Sequence, residues 1–306
     1  MVGQVCATLL TTLAACGGEE EAPPPVPVEE RTPKVLVIGI DGVRADVLME
    51  VPTPQIDALA DGGALTMRTR TTTPSVSGPA WSSMLPGVWP ERRGFVDDGV
   101  EGRRYDEYPG CLTRIERLRP ELSTYAVVDW VPLMELEGGS TAVGPEVDRR
   151  ELLDGYELGW AEADARATAL TVQHLASSDV DALFADLGNP DETSHETGSI
   201  GEEYRAAIAA ADRQVGELVD AVRARPSFAS ESWLVIVSTD HGRRADGGHG
   251  GDSPQEMTTF ILVSGPAAPR GAIRRDTHIV DVAPTALAHL GIEIDPAWGL
   301  DGTPVR

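Results

Sequence analysis

A chain of 306 residues, 41% of them hydrophobic, can bury one large core, and 49 acidic against 25 basic residues leave a formal charge of -24. That balance excludes polymeric nucleic acid or an anionic membrane surface held through a broad basic face, so an anionic substrate has to be attracted locally. No internal repeat divides the chain.

Residues 1–16, MVGQVCATLLTTLAAC, form a short apolar segment that closes on Leu13-Ala14-Ala15-Cys16 and resembles the lipobox of bacterial lipoproteins. The segment is too short to span a membrane. A signal peptide should open with Lys or Arg, and the first basic residue is Arg31, which leaves a mis-assigned start or a buried helix as alternatives. Residues 17–33, acidic and proline-rich, have almost nothing to bury and suit an extended tether. The expectation is acylation at Cys16, a bacterial envelope location with membrane contact only through that anchor, no disulfide framework, and one catalytic domain over 34–306.

Val35 to Ile40 is an apolar run of the kind buried in a parallel sheet, and it delivers Asp41 at its carboxyl end. Asp41 is placed either to hold an ion or to cap a helix beginning near Val43. Arg44 to Glu50 and Gln55 to Ala60 read as short helices, and Ala64 to Thr71 as a strand. Ser77-Gly78-Pro79 sets a hydroxyl before a helix through Ala80 to Leu85, where free backbone N–H groups suit a phosphoryl oxygen; a plain N-cap is the alternative. Thr124 to Val128 reads as a strand, and Trp160 to Leu175 as an Ala-rich helix. Ala182 to Ala185 is another buried strand, followed by Asn189-Pro190-Asp191-Glu192-Thr193-Ser194-His195, a loop whose Asp191 and His195 could share one ion.

Ser199 and Glu202 predict a capping box for a helix that Pro226 stops, with Tyr204, Ile208, Ala211, Val215, Leu218 and Val222 on its buried face. Trp233 to Val237 is the next buried strand. Asp240 and His241 leave its carboxyl end, and His249 sits eight residues after His241 among Gly247, Gly248, Gly250 and Gly251. Ligands bind at the carboxyl ends of strands in open α/β sheets, so this is where carboxylate and imidazole can meet a metal. Phe260 to Val263 adds a strand, and Asp281 caps a closing helix to Leu290. These elements predict an α/β fold, a mostly parallel central sheet with helices on both faces.

Together, IGIDG at Asp41, the Ser-x-Pro turn at Ser77, PDETSH at Asp191 and His195, TDHG at Asp240, and GGHGG at His249 resemble the alkaline phosphatase superfamily, nearest its nucleotide pyrophosphatase/phosphodiesterase branch. The resemblance implies one zinc ion on Asp191, His195 and His249, a second on Asp41, Asp240 and His241, and Ser77 as nucleophile touching the second. Three carboxylates and three imidazoles around two divalent ions leave a net charge of about +1, attractive to an anion. Such a pair, about 4 Å apart, lowers the pKa of a hydroxyl and stabilises entering and leaving oxygens. The expected activity is hydrolysis of a small phosphoester, leaning to a diester or pyrophosphate, with water releasing a phosphoseryl intermediate.

Two departures bear on substrate. The branch has an Asn three residues after its nucleophile, where this chain has Ala80, so the amide of Gly78, Asn189 or a loop Arg has to serve a phosphate oxygen. The only lysine, Lys34, stands at the far end of the strand that ends in Asp41. The alternatives are a sulfatase, which resembles the chain less because Arg is absent at Trp81 and Asn at His241, and an inactive surface-binding lipoprotein.

Overall fold

The computed structural model describes residues 1, 27, 30–93, 104–135, 140–273 and 276–306; Cys16 and most of the 17–33 tether lie outside these described residues. Among the described residues eight strands form one sheet: β1 (Thr32–Ile40), β2 (Gly63–Arg70), β3 (Thr124–Val128), β4 (Arg149–Leu152), β5 (Ala182–Leu187), β6 (Glu231–Ser238), β7 (Thr258–Ser264) and β8 (Gly271–Ala272). Their order across the sheet is β4-β3-β5-β1-β6-β7-β2-β8. All run parallel except β7, which pairs antiparallel with both β6 and β2. The reason lies in the connection. Between β6 and β7 the chain builds a loop at the carboxyl end of the sheet and has no long crossover helix, so it re-enters at the end it left.

The helices are α1 (Ala45–Leu48), α2 (Pro54–Gly62), α3 (Ser77–Met84), α4 (Pro90–Arg93), α5 (Cys111–Leu118), α6 (Gly155–Leu158), α7 (Trp160–Ser177), α8 (Asn189–Thr197), α9 (Glu202–Arg223), α10 (Pro254–Met257) and α11 (Val282–His289). β1 shows how the two faces are covered, because its side chains alternate between two cores. Val35 and Val37 pack with Trp81, Ile115 and Ala286 of α3, α5 and α11. Leu36, Ile38 and Ile40 pack with Leu59, Ala167 and Val215 of α2, α7 and α9. An apolar run without polar alternation is what a strand covered on both faces requires.

Three local expectations are corrected. Asp191 and His195 lie on helix α8 and not on a loop: Pro190 sits in its first turn beside two acidic residues, and Gly198, at φ 59, ends it. The Ser199–Glu202 capping box does not form, because Glu202 is already the first helical residue and the Ser199 hydroxyl accepts instead from Gly201 N at 2.9 Å. The predicted stripe from Tyr204 to Val222 is nonetheless buried. Asp281 does not cap α11. Its carboxylate accepts from His278 N at 2.9 Å, closing the preceding 3-10 turn, and from Thr303 N at 2.8 Å, pinning the last residues of the chain.

At the amino end of the sheet Lys34 is 2% exposed and donates to Asp179, Asp181 and the carbonyl of Val180. Beside it Arg225 forks onto Glu231, which also accepts from Trp233 and Ser227. Lys34 is therefore spent on structure at the end of β1 opposite to Asp41.

Candidate metal centre

Three adjacent strands, β5, β1 and β6, end side by side, and each delivers an aspartate. Asp41 follows β1 directly, Asp240 follows β6, and Asp191 enters from the first turn of α8 beyond β5. Asp41 does not cap a helix: its Oδ2 accepts from Trp81 Nε1 at 2.9 Å, while Oδ1 is buried without a partner. Asp240 Oδ1 accepts from Gly42 N at 3.1 Å, and its Oδ2 is likewise buried and unpartnered. The free oxygens of both residues face His241 Nε2, at 3.5 Å for Asp41 and 3.4 Å for Asp240.

Local backbone chemistry sets the imidazoles. His241 Nδ1 lies 2.9 Å from Gly242 O and His249 Nδ1 lies 2.8 Å from Ser75 O, so each ring donates its Nδ1 proton to a carbonyl and turns Nε2 to the carboxylates. The two rings stack at 3.9 Å. Burial, with His241 beside it, pushes His249 down to about 2, so it is neutral at any ordinary pH. His195 Nε2 completes the group, 2.8 Å from His249 Nε2 and 3.2 Å from Asp191 Oδ2. Burial first, and Asp41 next, push Asp240 well above the usual carboxylate range. Ser77, the first residue of α3, holds its Oγ 3.1 Å from His241 Nε2.

All seven residues singled out in the sequence thus meet at one point, in two candidate ligand groups, Asp41–Asp240–His241 and Asp191–His241–His249, that share His241; His195 lies against the second. Buried carboxylate oxygens without donors, facing imidazole nitrogens, form a donor set that fits divalent cations. In place of the missing Asn, Asn189 turns its Oδ1 to Thr193 Oγ1, and the loop arginine Arg243 is turned onto Asp191.

Sequence reasoning missed several residues. Trp81, which holds Asp41, comes one helical turn after Ser77, a spacing that could have shown it. Arg243 is fully buried behind Asp191, and its only signal is an arginine two residues after His241. Asp129 follows β3 as Asp41 follows β1. It accepts from Gly188 N at 2.9 Å, and Asp164 accepts from Gly188 N at 3.0 Å and Asn189 N at 3.3 Å, which fixes the entry to α8. Burial pushes Asp164 to about 7, and burial with neighbouring carboxylates raises Asp129 and Asp186 well above the usual carboxylate range. A cleft of about 110 Å³ opens over Ser77 and Asp191 and is also lined by Trp130, Tyr156, Trp160 and Glu192. The Tyr156 hydroxyl donates to Glu192 at 3.2 Å.

The sequence profile of the family described as Type I phosphodiesterase / nucleotide pyrophosphatase matches residues 35–245. Ectonucleotide pyrophosphatase/phosphodiesterase family member 7 from Homo sapiens is 26% identical over 259 residues, 77% of this chain and 53% of that protein. The chain therefore spans about half the length of that relative. Murine ectonucleotide pyrophosphatase / phosphodiesterase 5 superposes with a TM-score of 0.65 at 15% identity, covering 86% of this chain and 96% of that one. A 2-O GAG sulfatase superposes with a TM-score of 0.66 at 13% identity, covering 90% and 75%. Likeness at that level of identity is likeness of fold, an alkaline phosphatase-like α/β architecture.

Proposed function

The chain belongs to the type I phosphodiesterase / nucleotide pyrophosphatase family, and within it we propose that this protein hydrolyses diester or pyrophosphate bonds of small phosphoesters through Ser77 at a centre for two divalent ions, zinc foremost. We assign one ion to Asp191, His195 and His249 and the other to Asp41, Asp240 and His241. One observation carries the reading: Asp41 Oδ1 and Asp240 Oδ2, buried without donors, both face His241 Nε2, and Ser77 Oγ lies 3.1 Å from that same nitrogen. A pair of desolvated anionic oxygens is costly unless a cation sits between them.

When bound, two divalent ions activate a hydroxyl and stabilise charge on the entering and leaving oxygens. The protein's own part is positional. Ser77 Oγ gives up its proton and bonds to phosphorus as the bond to the leaving oxygen breaks, and that oxygen departs carrying a proton. Water then cleaves the phosphoseryl ester and regenerates the hydroxyl. Trp81 fixes Asp41, and the carbonyls of Gly242 and Ser75 fix the tautomers of His241 and His249. We further propose attachment to a bacterial envelope through acylated Cys16, on the strength of the Leu13-Ala14-Ala15-Cys16 sequence and the tether-like composition that follows it.

The test is turnover of zinc-loaded protein on bis-p-nitrophenyl phosphate, p-nitrophenyl phosphate and p-nitrophenyl sulfate. The diester should lead, and Ser77→Ala should lose turnover by orders of magnitude while keeping its ions. Sulfate hydrolysis in the lead would replace the reading with a sulfatase. Full metal loading with no turnover would replace it with a binding module.

A further inference from the structure

Behind the ligands stands a group that their roles do not explain. Arg243 has no exposed surface, and a buried guanidinium is tolerated only when its donors are well paired. It finds its partners on three separate segments. Nε donates to Gly42 O at 3.0 Å, next to Asp41. Nη1 donates to Asp191 O at 3.0 Å and to Gly247 O at 3.1 Å, two residues before His249. Nη2 pairs with Asp191 Oδ1. The guanidinium also lies over the Tyr204 ring at 5.4 Å, and the Tyr204 hydroxyl donates at 2.8 Å to the same Gly42 carbonyl. Arg243 itself follows Asp240 and His241, so one side chain ties together every segment that supplies a candidate aspartate or histidine ligand.

We propose that Arg243 is the positioning residue of this centre: a fixed counter-charge that assembles the ligand segments before any ion arrives. The inference rests on the two-ion reading above. Three carboxylates gathered at low dielectric repel one another strongly, and a buried cation among them offsets part of that repulsion. Once two divalent ions bind, the extra charge raises the net charge of the centre from about +1 to about +2, which strengthens its pull on an anionic phosphoester. A lysine could supply the charge. It could not reach two backbone segments and a carboxylate at the same time, because it lacks the planar fork.

The experiment compares wild type, Arg243→Met and Arg243→Lys, each stripped with chelator and each reloaded with zinc, by thermal melting and by competition with a chromogenic chelator. Arg243→Met should lower the melting temperature of the stripped protein more than that of the loaded protein. It should also weaken the ion assigned to Asp191, His195 and His249 by about 10- to 100-fold, the usual effect of losing a partner of a ligand. Arg243→Lys should recover the stripped melting temperature more fully than the metal affinity. A side chain that only fills space predicts equal falls in both forms and unchanged affinity, and that result overturns the proposal. If Arg243→Met does not fold, Arg243→Lys with wild-type affinity overturns it equally. Failure of the two-ion reading is recognised separately, because wild type and variants would then all fail to take up metal, and the proposal falls with it.

Discussion

Replacing Trp81 with Phe removes one hydrogen bond from the centre and little else nearby. The indole ring stands against Gly39, where a Cβ would collide with it, and meets Phe184 edge-on at 5.9 Å and 66°. A phenyl ring keeps much of that apolar contact. It loses the N–H that lies 2.9 Å from Asp41 Oδ2. Because Oδ1 of Asp41 is already without a donor, the substitution leaves the whole carboxylate unanchored. A hydrogen bond to a charged group contributes about 1.5–3 kcal/mol, which agrees with the roughly 10- to 100-fold that loss of a ligand's partner costs in metal affinity. Chelator competition on zinc-loaded protein should therefore show the ion assigned to Asp41, Asp240 and His241 weakened by about that factor, and the other ion weakened clearly less. Equal weakening of both ions would show a general loosening of the fold. No weakening would show that the indole does not orient Asp41.

Glu231→Gln tests the opposite end of the sheet. Burial alone would raise the Glu231 carboxyl, but hydrogen bonds from Arg225, Trp233 and Ser227 outweigh it and hold the carboxyl at about 2 against an ordinary 4.5. A depressed carboxylate stabilises the fold above its unfolded value and loses that contribution as pH falls from about 4.5 to about 2, so urea melts should show the variant about 3 kcal/mol weaker at pH 7 with the gap narrowing at pH 3.5; a gap independent of pH would contradict this. Gly42→Ala should abolish uptake of the ion assigned to Asp191, measured by elemental analysis, because Gly42 sits at φ 63 and a Cβ there meets Arg243 Nη2 at 2.6 Å and overlaps the Asp191 carboxylate. Cys16→Ala should move the protein from the membrane fraction to the soluble fraction on cell lysis; wild-type protein released without detergent would remove the case for an anchor.

The inner strands were legible because they are buried on both faces: Val35 to Ile40 and Trp233 to Val237 are apolar runs with polar residues after them, and that pattern marked Asp41 and Asp240, whereas the half-exposed β4 and the two-residue β8 carried no such signal. Motif spacing marked Ser77, Asp191, His195 and His249. What was hidden depends on contacts between distant segments. Arg243 is one arginine among many until Gly42, Asp191 and Gly247 converge on it. Asp164 sits in an ordinary helix, and only the fold shows that it faces Gly188 and Asn189. The capping box at Ser199 and Glu202 misled because the sequence pattern is right but the helix starts two residues later than the pattern requires, with Gly201 at the N-cap. Asp281 misled in a related way, since a carboxylate before a helix can equally serve the turn that precedes it.

The central claim is that Ser77 carries the phosphoryl group. Acid quenching during turnover of bis-p-nitrophenyl phosphate, followed by mass-spectrometric mapping of the peptide that contains Ser77, measures this directly. Phosphate should appear on Ser77 of wild type and be absent from Ser77→Ala, with Ser75, Ser82 and Ser83 unmodified in both. A Ser77→Ala variant that keeps near wild-type turnover, with no phosphoserine trapped in either protein, would contradict the account.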